Sequence, residues 1–344
     1  MVATETALPY TRSEAKDWAR AQLRGVCNVV MPTFTADFKS LNERAIAHDV
    51  HHAASLGYTG TLLVSECGTT LEEYCGLLDI AAAARPKGFQ LLVHGSFNSV
   101  DETIEACRYG ERHGADAVLL SYDQNTYFAS EDDVYEYTKR VSDATSLGIV
   151  LFAVPTWGFA KFHPSEFSPF LIERLAALET AVAVKYEANH PGLVTGMADL
   201  VRRIEDRIVV SDPMEFNGPG WIEMVGMQWM GTSGYEYLGD RVPRWFDLFH
   251  AGRWDEGMEL YWSYQPARKA RGALHASIAG ARLIHRPAWK YMGWLQGFNG
   301  GPLRMPQMRL DPGVMRSLRE GLVKSGYALA DEPDSAFFAG RHPA

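Results

Sequence analysis

Residues 181–185 read AVAVK, four apolar residues closing on a lysine. A continuous apolar run of this length suits a strand buried on both faces, as in a parallel sheet covered by helices. Seven further runs share the pattern: 26–31 (VCNVVM), 61–64 (TLLV), 90–94 (QLLVH), 117–120 (AVLL), 149–153 (IVLFA), 207–211 (RIVVS) and 228–233 (QWMGTS). Helical patterns lie between them. In 42–56, Ala45, Ile46, Val50, Ala53 and Ala54 recur at spacings of three and four, and 71–84 and 100–113 behave likewise. Ser130 stands before Glu131, Asp132 and Asp133, an N-terminal cap with acid in the first turn of a helix to about residue 146. Gly57, Gly114 and Gly148 read as helix-ending glycines ahead of strands. Each strand with its following helix occupies roughly 20–35 residues, close to one βα unit. Eight such units predict an α/β fold, a (β/α)8 TIM barrel with a C-terminal helical extension. The alternative is an open doubly wound sheet, but no GxGxxG follows the first run to support it.

The same patterns divide the chain. An N-terminal arm covers 1–24, the barrel 25–252, helices packed on the barrel 253–330, and a loose tail rich in Pro, Gly and Ala 331–344. Helical character at 241–252, 254–274, 277–296 and 312–325 supplies the last barrel helix and the extension. With 344 residues, 47% of them hydrophobic, the chain has material for a large core. The net charge of -9 argues against general affinity for nucleic acid or acidic membranes. The first residues lack a basic stretch followed by an apolar one, and no run approaches membrane-spanning length, so the expected location is the cytoplasm. Cys27, Cys67, Cys75 and Cys107 form no metal-ligand spacing and read as buried thiols of a reducing compartment. No metal and no organic cofactor is implied.

Lys185 is the candidate for the chemistry. Burying an ammonium is costly unless something offsets it. At the C-terminal end of a barrel strand it faces the catalytic rim, where partial desolvation favours the free amine that attacks carbonyls. The bland reading is a stem packed in the core with its head at the rim or paired with Glu187. From the run alone the two readings stand level.

Five segments then resemble, in order, the dihydrodipicolinate synthase and N-acetylneuraminate lyase family: VVMPTFTADFKSLN from 29, LLVSECGTTLEEY from 62, LFAVPTWG from 151, AVAVKYE from 181 and RPAWKYMGWLQGFNGGPLRMP from 286. The resemblance implies a (β/α)8 barrel, an imine between Lys185 and a 2-oxo acid such as pyruvate, an aldehyde as the other fragment, and a homotetramer built as a dimer of dimers. Glu66 and Cys67 followed by Thr69, Phe152 and Ala153 before Pro155, and Lys185 with Tyr186 are similar to the hydratase-aldolase branch acting on arylidene pyruvates.

Three departures bear on that reading. The family loop carries two hydroxyl residues and a glycine ahead of Glu66, where this chain has Leu63, Val64 and Ser65. Backbone N–H groups around Ser65 and Glu66 remain for a carboxylate, with fewer hydroxyl donors. Phe152 stands where the family usually has a proton-relaying tyrosine, and a phenyl ring moves no proton. Tyr186, Tyr122, Tyr127, or a water held by Ser65 or Thr69, are the candidate replacements; Tyr186, as the strand neighbour of Lys185, is also placed to pack outward. The segment SYDQNTYFAS, finally, does not reproduce the family's paired tyrosines. Glu66 reads either as a substrate-side acceptor or as an acid at the start of the following helix, chiefly the latter. Ser211 with Asp212, and Thr232 with Ser233, end the last two strand runs and serve either substrate or capping. Trp157, Phe159, Trp221, Trp229 and Tyr235 lie on or near rim loops, which suggests a bulky or flat acceptor, with several of them core residues.

Three functions follow: a class I lyase or aldolase; an imine-forming dehydratase, deaminase or decarboxylase of a 2-oxo acid; and a catalytically silent barrel that binds a small carboxylate.

Overall fold

The computed structural model describes residues 8–187, 191–281 and 283–344. These form eight strands: β1 (Gly25–Val30), β2 (Gly60–Leu63), β3 (Gln90–Gly95), β4 (Ala117–Leu120), β5 (Gly148–Ala153), β6 (Ala181–Tyr186), β7 (Val209–Ser211) and β8 (Trp229–Gly231). They make one sheet in the order β7-β6-β5-β4-β3-β2-β1-β8, with parallel pairing between β1 and β8 and from β3 through β7. Sequential strand order with helical crossovers is the (β/α)8 barrel arrangement. Every residue of β3, β5 and β6 is buried, as a sheet covered on both sides requires.

Helix α1 (Ala15–Gln22) precedes β1; α2 (Glu43–Ser55), α3 (Leu71–Ala84), α4 (Val100–Arg112), α5 (Glu131–Ala144), α6 (Pro169–Ala176), α7 (Pro191–Ile204) and α8 (Gly218–Val225) lie between strands; and α9 (Arg241–His250) follows β8. Their starts are chemically marked. Asn42, Thr70, Ser99 and Ser130 each accept a backbone N–H from the first turn of the following helix. Thr70 and Ser130 complete capping boxes with Glu73 and Asp133.

Packing divides the chain into two compact units, residues up to Cys27 with Gln90–Ser233, and Asn28–Phe89 with Gly234–Ala344. In the first, the arm runs over the N-terminal strand ends. Tyr10 donates to the Asp116 carbonyl at 2.6 Å and accepts from the Gly148 amide at 2.8 Å, while Gln90 and Gln228 donate to carbonyls of residues 20–23.

Register fixes which side chains share a face. His94 pairs with Leu119, Leu119 with Val150 and Val150 with Ala183; one level higher Phe152 pairs with Lys185 and Lys185 with Ser211. Val93 points to the helices, because a Cβ placed on Gly110 of α4 would come within 2.6 Å of its Cγ2. Alternation therefore puts His94, Phe152, Lys185 and Ser211 on the face turned from the helices. The two ends of the sheet order, β7 and β8, meet through one side chain: the Ser211 hydroxyl donates to the Gly231 carbonyl and accepts its N–H, both at 3.2 Å.

The second unit holds the extension. The pattern expected as one helix over 254–274 is broken at Pro266 into α10 (Trp254–Ser263) and α11 (Gln265–Ile278), because proline has no N–H to continue a helix and is tolerated in a first turn. α12 (Arg286–Leu295) and α13 (Pro312–Lys324) follow. The tail expected to be loose is docked: Phe337 is buried, Tyr291 donates to Asp334 at 2.6 Å, and the Arg341 guanidinium pairs with Glu332 and bonds the Trp294 carbonyl.

Candidate active site

Lys185 is the penultimate residue of β6, with 5% of its surface exposed. Its Nζ lies 3.8 Å from the centroid of the Phe152 ring and 3.5 Å from Glu187 Oε1. The first contact follows from the ladder, since Phe152 and Lys185 are register partners. The second follows from the strand period of two, which returns Glu187 to the same face. A π face and a carboxylate both favour the charged amine, and burial opposes them. Beyond β5, Pro155–Trp157 form a 3-10 turn ended by Gly158, whose φ of 71° is natural to glycine. The turn brings Trp157 back so that its Nε1 donates to the Phe152 carbonyl at 2.8 Å and its ring meets Phe152 edge-on at 5.5 Å. Phe152 thus touches both groups, with the Lys185 amine over its ring and Trp157 perpendicular to it.

Asp212, just past β7, is fully buried and accepts three N–H groups: Met214 backbone at 2.8 Å, Asn217 Nδ2 at 2.8 Å and Trp221 Nε1 at 2.7 Å. Burial pushes its carboxyl up to about 6 despite those donors, and the charge of Glu187 adds to the rise. With its oxygens turned to this loop, Asp212 organises the segment leading into α8. Ser211 spends its hydroxyl on the β7–β8 seam. Both were candidates for substrate contact, and the geometry gives them framework partners. Ser233 is buried on the loop after β8, beside Thr232, whose hydroxyl has no hydrogen-bond partner among the described residues.

The two tyrosines expected to replace the missing relay turn elsewhere. Tyr186 follows Lys185 and so points to the opposite face, where its hydroxyl donates to the Ser165 carbonyl at 3.4 Å. Tyr122 shares a hydrogen bond with Thr138 at 2.8 Å and packs among Phe128, Tyr137, Phe159 and Phe167. Burial pushes Tyr186 up to about 12 and raises Tyr122 as well, so neither hydroxyl readily gives up a proton. Tyr127 is exposed, with the Lys161 ammonium 4.4 Å from its ring centroid. Of the five rim aromatics, Phe159, Trp221, Trp229 and Tyr235 are buried and Trp157 alone is half-exposed.

One pair escaped the sequence reading. His94, the last residue of the run QLLVH, and Ser121, just past β4, are both buried, and His94 Nε2 and Ser121 Oγ share a 3.3 Å hydrogen bond. The signal was present: His94 is a polar residue ending an apolar run, as Lys185 is.

In the other unit, the loop after β2 closes on itself. Thr69 Oγ1 donates to the Ser65 carbonyl at 3.0 Å, and the Cys67 amide donates to the same oxygen at 2.8 Å. Glu66 does not serve the start of α3, which Thr70 and Glu73 cap; it pairs with the buried Arg286 at 2.8 Å. Burial pushes the Cys67 thiol up to about 12, which suits an unreactive core cysteine. Among the described residues no cluster of His, Cys, Asp and Glu is arranged to hold a metal ion, and no helix is long and apolar enough to cross a membrane.

Comparison with known proteins gives these features a context. The model of the dihydrodipicolinate synthetase family matches residues 22–264. The 4-hydroxy-tetrahydrodipicolinate synthase of Anaplasma marginale (strain St. Maries) is 30% identical over 173 residues, 48% of this chain; the match spans about half that enzyme's length, 54%. The enzyme of the same name from Clostridium perfringens (strain 13 / Type A) is 24% identical over 320 residues, covering 88% of this chain and 98% of its own. Among solved structures, the 4-hydroxy-tetrahydrodipicolinate synthase of Methylacidiphilum fumariolicum SolV superposes with a TM-score of 0.72 at 17% identity, covering 88% of this chain and 96% of that one. PhdJ bound to substrate intermediate superposes with a TM-score of 0.73 at 18% identity, covering 92% and 97%. At these identities the structural likeness is one of fold.

Proposed function

The chain belongs to the dihydrodipicolinate synthetase family, and from that premise we propose that it is a class I lyase in which Lys185 forms an imine with a 2-oxo acid. The observation that carries the proposal is the setting of Lys185: a buried amine at the C-terminal end of a barrel strand, held between the Phe152 ring at 3.8 Å and Glu187 at 3.5 Å. As the neutral amine it adds to the keto carbon. The resulting protonated imine withdraws electrons, so that the adjacent C–C bond breaks or forms without a metal. Pyruvate or a pyruvate adduct is the 2-oxo acid of this reading, and a bulky or aromatic aldehyde is the second fragment. The half-exposed Trp157, set edge-on to Phe152, supports a flat partner. The family resemblance further proposes a homotetramer.

Borohydride reduction in the presence of pyruvate and of bulkier 2-oxo acids, read by intact and peptide mass, tests the mechanism. A reduced adduct on the peptide carrying Lys185 is expected. Absence of any adduct with every acid, while calorimetry still records binding, would replace the lyase by a silent carboxylate-binding barrel.

A second reading keeps the imine and changes the next step to dehydration, deamination or decarboxylation. Phe152 favours it, because the tyrosine that serves aldol chemistry in the family is missing. Product analysis separates the two: pyruvate plus an aldehyde marks the aldolase, whereas an undivided carbon skeleton marks dehydration or deamination and loss of CO2 marks decarboxylation. Condensation of pyruvate with aspartate semialdehyde at an ordinary enzymic rate would instead make the chain a working dihydrodipicolinate synthase.

A further inference from the structure

Phe152 leaves the Lys185 face of the sheet without the phenol that the resemblance leads one to expect, and Tyr122 and Tyr186 turn their hydroxyls to the other face. The polar groups that do lie on this face are fixed by register. Leu120 pairs with Leu151, so Ser121, the next residue, stands level with Phe152, which in turn stands level with Lys185. Two strand spacings of about 4.8 Å put the Ser121 and Lys185 backbones roughly 10 Å apart along the sheet, a span that a lysine side chain and a bound 2-oxo acid fill. His94 lies one level below, on the same face, with its Nε2 3.3 Å from Ser121 Oγ. A buried histidine bonded to a buried serine hydroxyl is the arrangement by which a base acts through a hydroxyl on a reacting group. Hydrogen bonds of this kind are commonly long before substrate arrives.

We propose that Ser121 is the proton-transferring residue of the imine chemistry and that His94 is its positioning partner, together replacing the relay lost at Phe152; this rests on the imine reading above. The neutral Lys185 amine adds to the keto carbon, leaving positive nitrogen and negative oxygen. One proton passes from that nitrogen to that oxygen through the Ser121 hydroxyl, giving the neutral carbinolamine. Protonated His94 then gives its Nε2 proton to Ser121 as Ser121 gives its own to the carbinolamine hydroxyl. That hydroxyl leaves as water with the C–O electron pair, and the nitrogen lone pair forms the C=N+ bond. His94 ends neutral, and hydrolysis of the imine runs the same steps backwards and restores its proton.

The test is the rate of adduct formation in the full-length protein, measured by rapid mixing with pyruvate or phenylpyruvate, borohydride quench and intact mass. Ser121→Ala removes one oxygen and is expected to slow adduct formation about 10²-fold, with Ser121→Thr recovering most of the rate. His94→Ala is expected to lose a similar factor. Added imidazole should restore its rate, while pyrazole, a ring of the same size and much weaker basicity, should not. Equal restoration by both rings would show that His94 only fills space, and wild-type rates in Ser121→Ala and His94→Ala would remove the dyad altogether. If His94→Ala does not fold, the two Ser121 variants decide. Wild-type protein that forms no adduct with any 2-oxo acid overturns the imine reading and this proposal with it; wild-type adduct with unaffected variants overturns this proposal alone.

Discussion

Lys185 and Lys290 are equally hidden, each with 5% of its surface exposed, yet their surroundings assign them different work. Lys290 sits within α12, where its Nζ donates to the Pro32 carbonyl at 2.7 Å. Burial lowers it to about 8, against the opposing charges of Asp49 and Cys67. Asp49, itself pushed up to about 6 by burial, accepts the Asn299 amide at 2.6 Å. That amine is tied to backbone, as a buried cation of the framework must be. Lys185 instead stands near the C-terminal end of a strand on the inner face of the sheet, against an aromatic ring and a carboxylate two residues on. A low pKa is therefore insufficient to make a nucleophile. The amine must also stand where a carbonyl can reach it.

The largest effect that can break this contrast is on catalysis. Lys185→Ala is expected to abolish 2-oxo acid adduct formation and to lower turnover at least about 10³-fold, with an unchanged circular dichroism spectrum. An adduct that persisted in this variant, or that mapped to the peptide carrying Lys290, would exchange the roles of the two lysines. Lys290→Met is expected to keep adduct formation and to lose about 1–3 kcal/mol of stability, since it strips the Pro32 carbonyl of its donor. The pH dependence gives its sign. A lysine lowered in the folded state binds fewer protons there than in the unfolded chain, so its stabilising share is complete above about 10.5 and is lost as pH falls through about 8. The deficit of Lys290→Met in denaturant melts should thus be greater at pH 10 than at pH 7.

How far the sequence could be read follows the range of each interaction. The strand runs at 117–120, 149–153 and 181–185 match β4, β5 and β6 to within a residue, because burial on both faces writes an uninterrupted apolar word. The runs at 207–211 and 228–233 overshoot β7 and β8, whose flanking polar residues belong to the connections. α6 and α8 had too few residues, eight each, to show a period. Lys185 was legible as a lone cation in an apolar word. His94 carried the same signal, but its pairing with Ser121 was not legible, since the two become partners only when β3 and β4 pair in register. Glu66 was misread for a similar reason: Arg286 lies 220 residues away, whereas the helix start that seemed to need an acid already had Thr70 and Glu73. The outward turn of Tyr186 was readable from the strand period of two.

Glu236 extends the comparison from a framework cation to a framework carboxyl. One of its oxygens, Oε1, accepts both the Val29 amide at 2.8 Å and Asn28 Nδ2 at 3.0 Å, and burial pushes the group up to about 8. A carboxyl raised in the folded state holds its proton longer than in the unfolded chain. Its stabilising share is full below about 4.5 and is lost as pH rises through about 8, the reverse of Lys290. Glu236→Gln keeps a carbonyl oxygen for both donors and removes the charge. Thermal melts should show the variant gaining on wild type from pH 5 to pH 9, by about 1–2 kcal/mol at the upper end. A gap that stayed constant across that range would mean Glu236 is already ionised in the fold.

Ser211 supplies the smallest and most discriminating case, because it is the register partner of Lys185 and yet does framework work. Its hydroxyl is the donor and the acceptor that join β7 to Gly231 of β8, where the sheet order has its two ends. Ser211→Ala removes both bonds and leaves a buried N–H and C=O to find other partners, at a cost of about 1 kcal/mol. If proximity in the ladder were enough to confer a catalytic role, the variant would also form the Lys185 adduct more slowly. The expected result is a lower melting temperature with an unchanged rate of adduct formation. A slower rate at unchanged stability would move Ser211 from the seam into the chemistry, and would show that the oxygen seen bridging the strands can be released to the substrate.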